Sequence, residues 1–213
     1  METNALSISL TKNPIITVKI IPGHFTTSNL HTNSYLDVSG LKSNAAVARD
    51  VAREMVIPYL STSVDTIVCM EKMEVIGAYI AQELVQDRTS VVNTENKIHV
   101  VSPLNNMYGN LVFPSNMIEL ISGKNVLLLI ATISSGKTLK SVLECLAYYG
   151  GKLAGVSAVY LASDVMSGLQ IHSLFTSDDI PGYKLFNVGD CEMCKSGQKL
   201  DAIISSEGYT KIE

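Results

Sequence analysis

The chain reads as an α/β protein built on a mainly parallel sheet with helices on both faces, and three observations predict this. Val126 to Ala131 is an uninterrupted apolar run, which is what a strand needs when helices cover both of its faces. A short polar loop, Ser134 to Lys137, then leads into a helix in which Leu139, Val142, Leu143, Leu146 and Ala147 recur at i, i+3, i+4, i+7 and i+8, with Gly150-Gly151 as its stop. Finally, strand-like and helix-like segments alternate through the middle of the chain, the order that builds crossovers on both faces of a sheet. Residues 60 to 165 are therefore expected to form the sheet, with Val126 to Ile130 as an interior strand.

The other elements follow in order. Ile15 to Ile21 alternates and is β-branched before Pro22-Gly23, so it predicts a strand and then a turn. Ser43 is the expected cap of the next helix. There Ala48, Val51, Ala52, Met55, Val56 and Tyr59 keep helical spacing, charged residues take the opposite face, and Pro58 disturbs the end. Thr66 to Met70 is a short apolar strand. Ile76, Ile80 and Leu84, with the small Gly77 and Ala81, make a helix able to pack close to a sheet. Ser90 to Asn93 and Lys97 to Val101 are further strand candidates. Ser102 to Asn116 is too long for a simple connection, and Leu153 to Leu161 is the strand that follows the loop-borne helix.

Composition narrows the class. With 213 residues, 46% hydrophobic content and a mean hydropathy of +0.24, the chain can bury a sizeable core as a single domain. Its net charge of −4 comes from interspersed acidic and basic residues without a polybasic run, which argues against nucleic-acid or membrane-surface binding through bulk charge. The start of the chain lacks the layout of a signal peptide, and no apolar run approaches the roughly 18 residues of a spanning helix. The expectation is a cytoplasmic protein without a membrane partner.

Chemistry concentrates at Ser134, Ser135, Gly136, Lys137 and Thr138. Placed at a helix N-terminus, these residues offer unpaired backbone N–H groups, the positive end of the helix dipole, hydroxyl donors and an ammonium, a combination suited to phosphate. Two readings share the segment. Ala131, four intervening residues and Gly136-Lys137-Thr138 satisfy a relaxed P-loop pattern, which points to a nucleotide hydrolase. However, a P-loop strand usually opens its domain, and here about half the chain precedes it. Asp164 is also a weak Walker B acid.

The same segment resembles the phosphoribosyl pyrophosphate (PRPP) loop of type I phosphoribosyltransferases. Other stretches carry the likeness further. Pro22-Gly23-His24-Phe25 through Tyr35-Leu36-Asp37 resembles the opening of orotate phosphoribosyltransferases, and Ile67-Val68-Cys69-Met70-Glu71 is similar to the family's pyrophosphate-loop strand. Asp190 to Gly197, with Ser205 to Tyr209, is similar to endings in bacterial orotate-type members. The likeness covers most of residues 15 to 213 in collinear order. It implies a core over 43–169 with a small hood from 1–42 and 170–213, a homodimer, and phosphoribosyl transfer from PRPP to a nucleobase with Mg²⁺ bridging pyrophosphate. It also implies 5′-phosphate binding at Ser134 to Thr138, Glu71 and Lys72 near pyrophosphate, Lys97 on the mobile loop, and base stacking by Phe25.

The departures bear on catalysis. Family members end the PRPP strand in two acidic residues that accept the ribose hydroxyls, and here those positions are Ile130-Ala131. Each lost charge-assisted hydrogen bond costs about 1.5 to 3 kcal/mol. Orotate enzymes carry an arginine-lysine pair on the mobile loop, whereas Val92 to Lys97 keeps one cation, and Glu74 would repel phosphate if it pointed inward. The catalytic residues are therefore not assigned, and a second reading is a non-catalytic protein that binds a nucleotide or sugar phosphate on the same fold.

The remaining conspicuous residues read as structural. Cys191 and Cys194 have metal-ligand spacing, but one CxxC supplies two ligands of a tetrahedral site, so reduced thiols are expected unless a histidine or a second subunit completes it. No metal is assigned. His24, His31, His99 and His172 read as surface or turn residues, Cys69 and Cys145 as packed thiols, and Met70, Met73 and Met107 as packing.

Overall fold

The structure, a computed structural model, describes residues 4–86, 92–93, 97–162, 168–206 and 208–212. The chain opens with β1 (Leu6–Leu10), β2 (Asn13–Thr26) and β3 (Leu30–Asp37), followed by α1 (Ser39–Ser43) and α2 (Ala45–Val56). β2 does not stop at Pro22-Gly23 as the sequence predicts. It continues through a bulge in which Gly23 and His24 lie between the pairs Pro22↔Ser34 and Phe25↔Thr32, so an irregularity replaces the turn. The cap of α2 is Asn44 rather than Ser43, because the Asn44 side chain accepts from the N–H groups of Ala46 and Val47.

Next come β4 (Thr66–Cys69), α3 (Glu74–Gln86) and β5 (His99–Val101), then β6 (Leu104–Asn105) and β7 (Leu111–Val112), which pair as a small hairpin. This hairpin organises the long connection foreseen over 102–116. The candidate strand at 90–93 falls partly outside the described residues, and Val92-Asn93 is not a strand. β8 (Asn125–Ile133), α4 (Lys137–Tyr148), β9 (Lys152–Leu161) and β10 (Ile171–Thr176) complete the core. The chain closes with β11 (Leu185–Asn187), α5 (Glu192–Lys195), β12 (Ala202–Ser205) and β13 (Gly208–Lys211).

Five strands form an all-parallel sheet in the order β10-β9-β8-β4-β5, with β8 at its centre. Leu127, Leu129 and Ala131 of β8 face the cluster built by α2 and α3, while Val126, Leu128 and Ile130 face α4 through Leu139, Val142 and Leu146. This is the physical reason for the apolar run: both faces of β8 are covered, and Val126 to Ile130 are 0% exposed. Burial of each such side chain contributes about 1.5 to 3 kcal/mol. Two close approaches set the packing, since a Cβ on Gly77 would meet Cys69 Sγ at 2.6 Å and one on Gly155 would meet the Tyr59 ring at 2.3 Å.

A second sheet takes strands from both ends of the chain, in the order β11-β3-β2-β12-β13 with β1 also paired to β2. β10, which the sequence reading placed in the C-terminal appendage, belongs instead to the core sheet, because it pairs in parallel with β9 from Ile171↔Val156 to Thr176↔Leu161.

Candidate functional site

The two sheets enclose a cleft of about 920 Å³ at the C-terminal ends of β4 and β8, within the size range of small-molecule sites. One wall is the β8–α4 loop. Gly136 stands at the N-cap of α4 with φ +73, and no side chain caps the helix. A side chain at that φ would be strained by about 1 to 2 kcal/mol, and an uncapped N-terminus leaves N–H groups for an anion. Ser134, Ser135, Gly136, Lys137 and Thr138 all line the cleft. The ammonium of Lys137 donates to Oδ1 of Asn29 at 2.6 Å, and the Tyr183 phenol stands near Ser134 and Thr32 of β3. Burial pushes the Tyr183 phenol up to about 12, so it stays protonated.

The facing wall is the turn after β4. Glu71 and Lys72 adopt left-handed backbone conformations, with φ 53 and φ 63, which cost L-residues about 1 to 2 kcal/mol each. Contacts hold the turn in place. The Glu71 carboxylate accepts the Thr132 N–H at 3.0 Å, and its carbonyl accepts from Lys42 at 2.7 Å. Burial raises the Glu71 pKa, opposed by the Thr132 N–H, the Lys42 charge and the Ala131 N–H. A carboxylate is thus delivered from β4 to the end of β8, the place where β8 itself contributes Ile130 and Ala131. Glu74 also lines the cleft and accepts from Ser102 Oγ at 2.6 Å. Among the described residues, the cleft is lined by three lysines (Lys42, Lys72 and Lys137) and two glutamates (Glu71 and Glu74).

Three of the sequence-based assignments do not match this geometry. Phe25 is 0% exposed, with its ring packed against Tyr35 and Tyr209 at centroid distances of 6.0 and 5.8 Å, so it anchors the second sheet and presents no face to a base. Lys97 stands just before β5, at the sheet edge opposite the cleft, and does not line it. Asn93 is at that edge too, where its side chain accepts from Val64 N–H and donates to the Thr62 carbonyl. The segment beside the cleft in that region is the β6–β7 hairpin, through Ser102, Pro103, Asn105, Gly109 and Leu111, and residues 102–123 contain neither Lys nor Arg. Lastly, His24 and His31 are buried rather than on the surface, and they meet Cys191 and Cys194. No spacing rule could have joined them, because His24 and Cys191 are 167 residues apart. Lys42 and Tyr183 were also missed, as nothing in their local sequence marks them, and Tyr35 was marked only as part of the stretch that carries the family resemblance.

The architecture is that of the type I phosphoribosyltransferases. The chain is similar to an orotate phosphoribosyltransferase from Mycobacterium tuberculosis solved with Fe(III) dicitrate, with a TM-score of 0.51 and 16% identity over 75% of this chain and 90% of that one. A phosphoribosyltransferase from Corynebacterium diphtheriae gives 0.52 and 15% over 75% and 89%. An adenine phosphoribosyltransferase from Thermoanaerobacter pseudethanolicus gives 0.51 and 12% over 82% and 96%. No family model matches the sequence, and no curated protein matches it. Among the described residues, no helix is long and apolar enough to cross a membrane.

Proposed function

We propose that this protein binds a phosphoribosyl ligand, PRPP or a nucleoside monophosphate, with the 5′-phosphate at Ser134 to Thr138, and that transfer to a nucleobase is slow or absent. The observation that carries the reading is the uncapped N-terminus of α4, opening into a cleft lined by that loop and three lysines. Phosphate recognition survives while the ribose-binding acids do not. Ile130 lies inside the core and Ala131 has no polar side-chain atom, so the two positions where acids would stand offer the ribose hydroxyls no side-chain acceptor. The cation-free hairpin beside the cleft provides no charge to stabilise departing pyrophosphate.

A second reading, orotate-type phosphoribosyl transfer, is favoured by the Glu71 carboxylate at the end of β8. Mg²⁺ is commonly held by one or two carboxylates together with substrate phosphates, and Glu71 and Glu74 fit that donor set. The ion would neutralise pyrophosphate charge, and the lysines would orient the phosphates. A homodimer belongs to this reading and is measured by light scattering. Titration calorimetry with PRPP, nucleoside monophosphates and triphosphates tests the binding, and nucleotide formation from PRPP, Mg²⁺ and orotate tests the transfer. Binding of monophosphates or PRPP with turnover below the ordinary enzyme range of about 1 to 1,000 per second supports the first reading. Turnover within that range supports the second, and binding of triphosphates alone overturns both.

A further inference from the structure

Four potential ligand side chains converge away from the cleft lining. His24 sits in the β2 bulge, His31 on β3, and Cys191 and Cys194 bracket the first turn of α5. His24, His31 and Cys191 are buried and Cys194 is exposed. Nε2 of His24 lies 3.2 Å from Nδ1 of His31, 3.4 Å from Cys191 Sγ and 3.7 Å from Cys194 Sγ, and His31 Nδ1 lies 3.3 Å from Cys194 Sγ. All four ligand atoms lie within 4.8 Å of one another. Zinc bonds of about 2.3 Å to sulfur and about 2.0 to 2.1 Å to nitrogen imply tetrahedral edges of roughly 3.3 to 3.8 Å. The four measured separations cluster at those edges.

Protonation points the same way. Nδ1 of His24 lies 3.0 Å from the Gln198 carbonyl and 3.2 Å from that of Lys199. Carbonyls only accept, so Nδ1 carries the proton and Nε2 turns its lone pair into the cluster. A histidine whose second nitrogen donates to a carbonyl is the usual support of a metal ligand. Further contacts fix its backbone, since the His24 N–H donates to the Asp201 carboxylate at 2.7 Å and its carbonyl accepts the Asp201 N–H at 2.8 Å.

We propose that His24, His31, Cys191 and Cys194 bind one zinc ion, releasing the two thiol protons to solvent. Four protein ligands fill a tetrahedral shell and leave no open position, which defines a structural site rather than a catalytic one. The need for a staple is visible locally: from Val188 to Asp201, Cys191 is the one buried residue, so this segment has little apolar burial of its own. The ion ties that segment to the β2–β3 hairpin. The tip of the same hairpin carries Asn29, which holds Lys137 of the phosphate loop.

The test uses the full chain without a histidine tag, purified under reducing conditions with no added metal. Elemental analysis should find close to one zinc per chain, lost in Cys191→Ser and Cys194→Ser and kept in Cys145→Ser. Because the serine variants can fail to fold, the apo wild-type chain is also titrated with cobalt(II). Tetrahedral cobalt absorption with thiolate charge-transfer bands, displaced by zinc, supports the site. A chain that purifies without zinc and stays colourless with cobalt overturns it. So does alkylation of Cys191 and Cys194 at the same rate with and without zinc.

Discussion

Lys137 and Asn29 join the two sheets of this protein: the lysine ammonium donates to the asparagine side-chain oxygen at 2.6 Å across 108 residues of sequence. One partner stands at the β8–α4 loop of the core and the other at the hairpin tip of the second sheet. The contact positions a cation that would otherwise be a flexible surface side chain.

Lys137→Ala is expected to weaken binding of PRPP or a nucleoside monophosphate by about 1 to 3 kcal/mol, the range for a hydrogen bond to a charged group. Asn29→Ala should cost less, because the ammonium remains and only its orientation is lost. Titration calorimetry on both variants checks this, and an Asn29→Ala loss equal to that of Lys137→Ala would contradict the orienting role.

Glu71 predicts a pH dependence. Its folded pKa is raised by burial, so the native state binds a proton more tightly than the unfolded chain does. The associated stability is full below the ordinary glutamate range and is lost as pH rises through the folded value. Glu71→Gln keeps an oxygen to accept the Thr132 N–H and removes that loss. The variant should therefore gain on the wild type as pH rises from acid to neutral. Urea unfolding across that window measures the difference, and parallel curves would refute the prediction.

Restoring the acidic pair is expected to divide by position. Ile130 is 0% exposed in the cluster beneath α4, so Ile130→Glu buries an unpaired carboxylate and should cost at least about 3 kcal/mol. Ala131 lines the cleft, and Ala131→Asp should fold with a higher affinity for PRPP in the presence of Mg²⁺. Denaturation midpoints and calorimetry separate the two outcomes.

Tyr59 and Gly155 test the core. The Tyr59 hydroxyl donates to the Val156 carbonyl at 2.6 Å, and the ring occupies the space a Cβ on Gly155 would need. Gly155→Ala should destabilise by about 1 to 3 kcal/mol through overpacking. Tyr59→Phe should cost roughly 1 to 3 kcal/mol by leaving a buried carbonyl without this donor. Thermal unfolding of each variant provides the measurement.

The sequence by itself determined the parallel sheet, the interior place of β8 and the polar loop that leads from it into α4. These are written in local patterns: an apolar run for a strand covered on both faces, a 3.6-residue period for α4, and a polar loop with glycine between them. The absence of acids at Ile130-Ala131 was equally legible. What tertiary structure decided are the long-range meetings. Phe25 became a core anchor because Tyr35 and Tyr209 close over it, and the hairpin beside the cleft proved to be 104–112, whereas Lys97 does not line the cleft. Glu71 reached the end of β8 because β4 is hydrogen-bonded beside it. His24 and His31 joined Cys191 and Cys194 because strands from both ends of the chain share one sheet. Periodicity reports which face of its own element a residue occupies, whereas such partnerships depend on strand order and register.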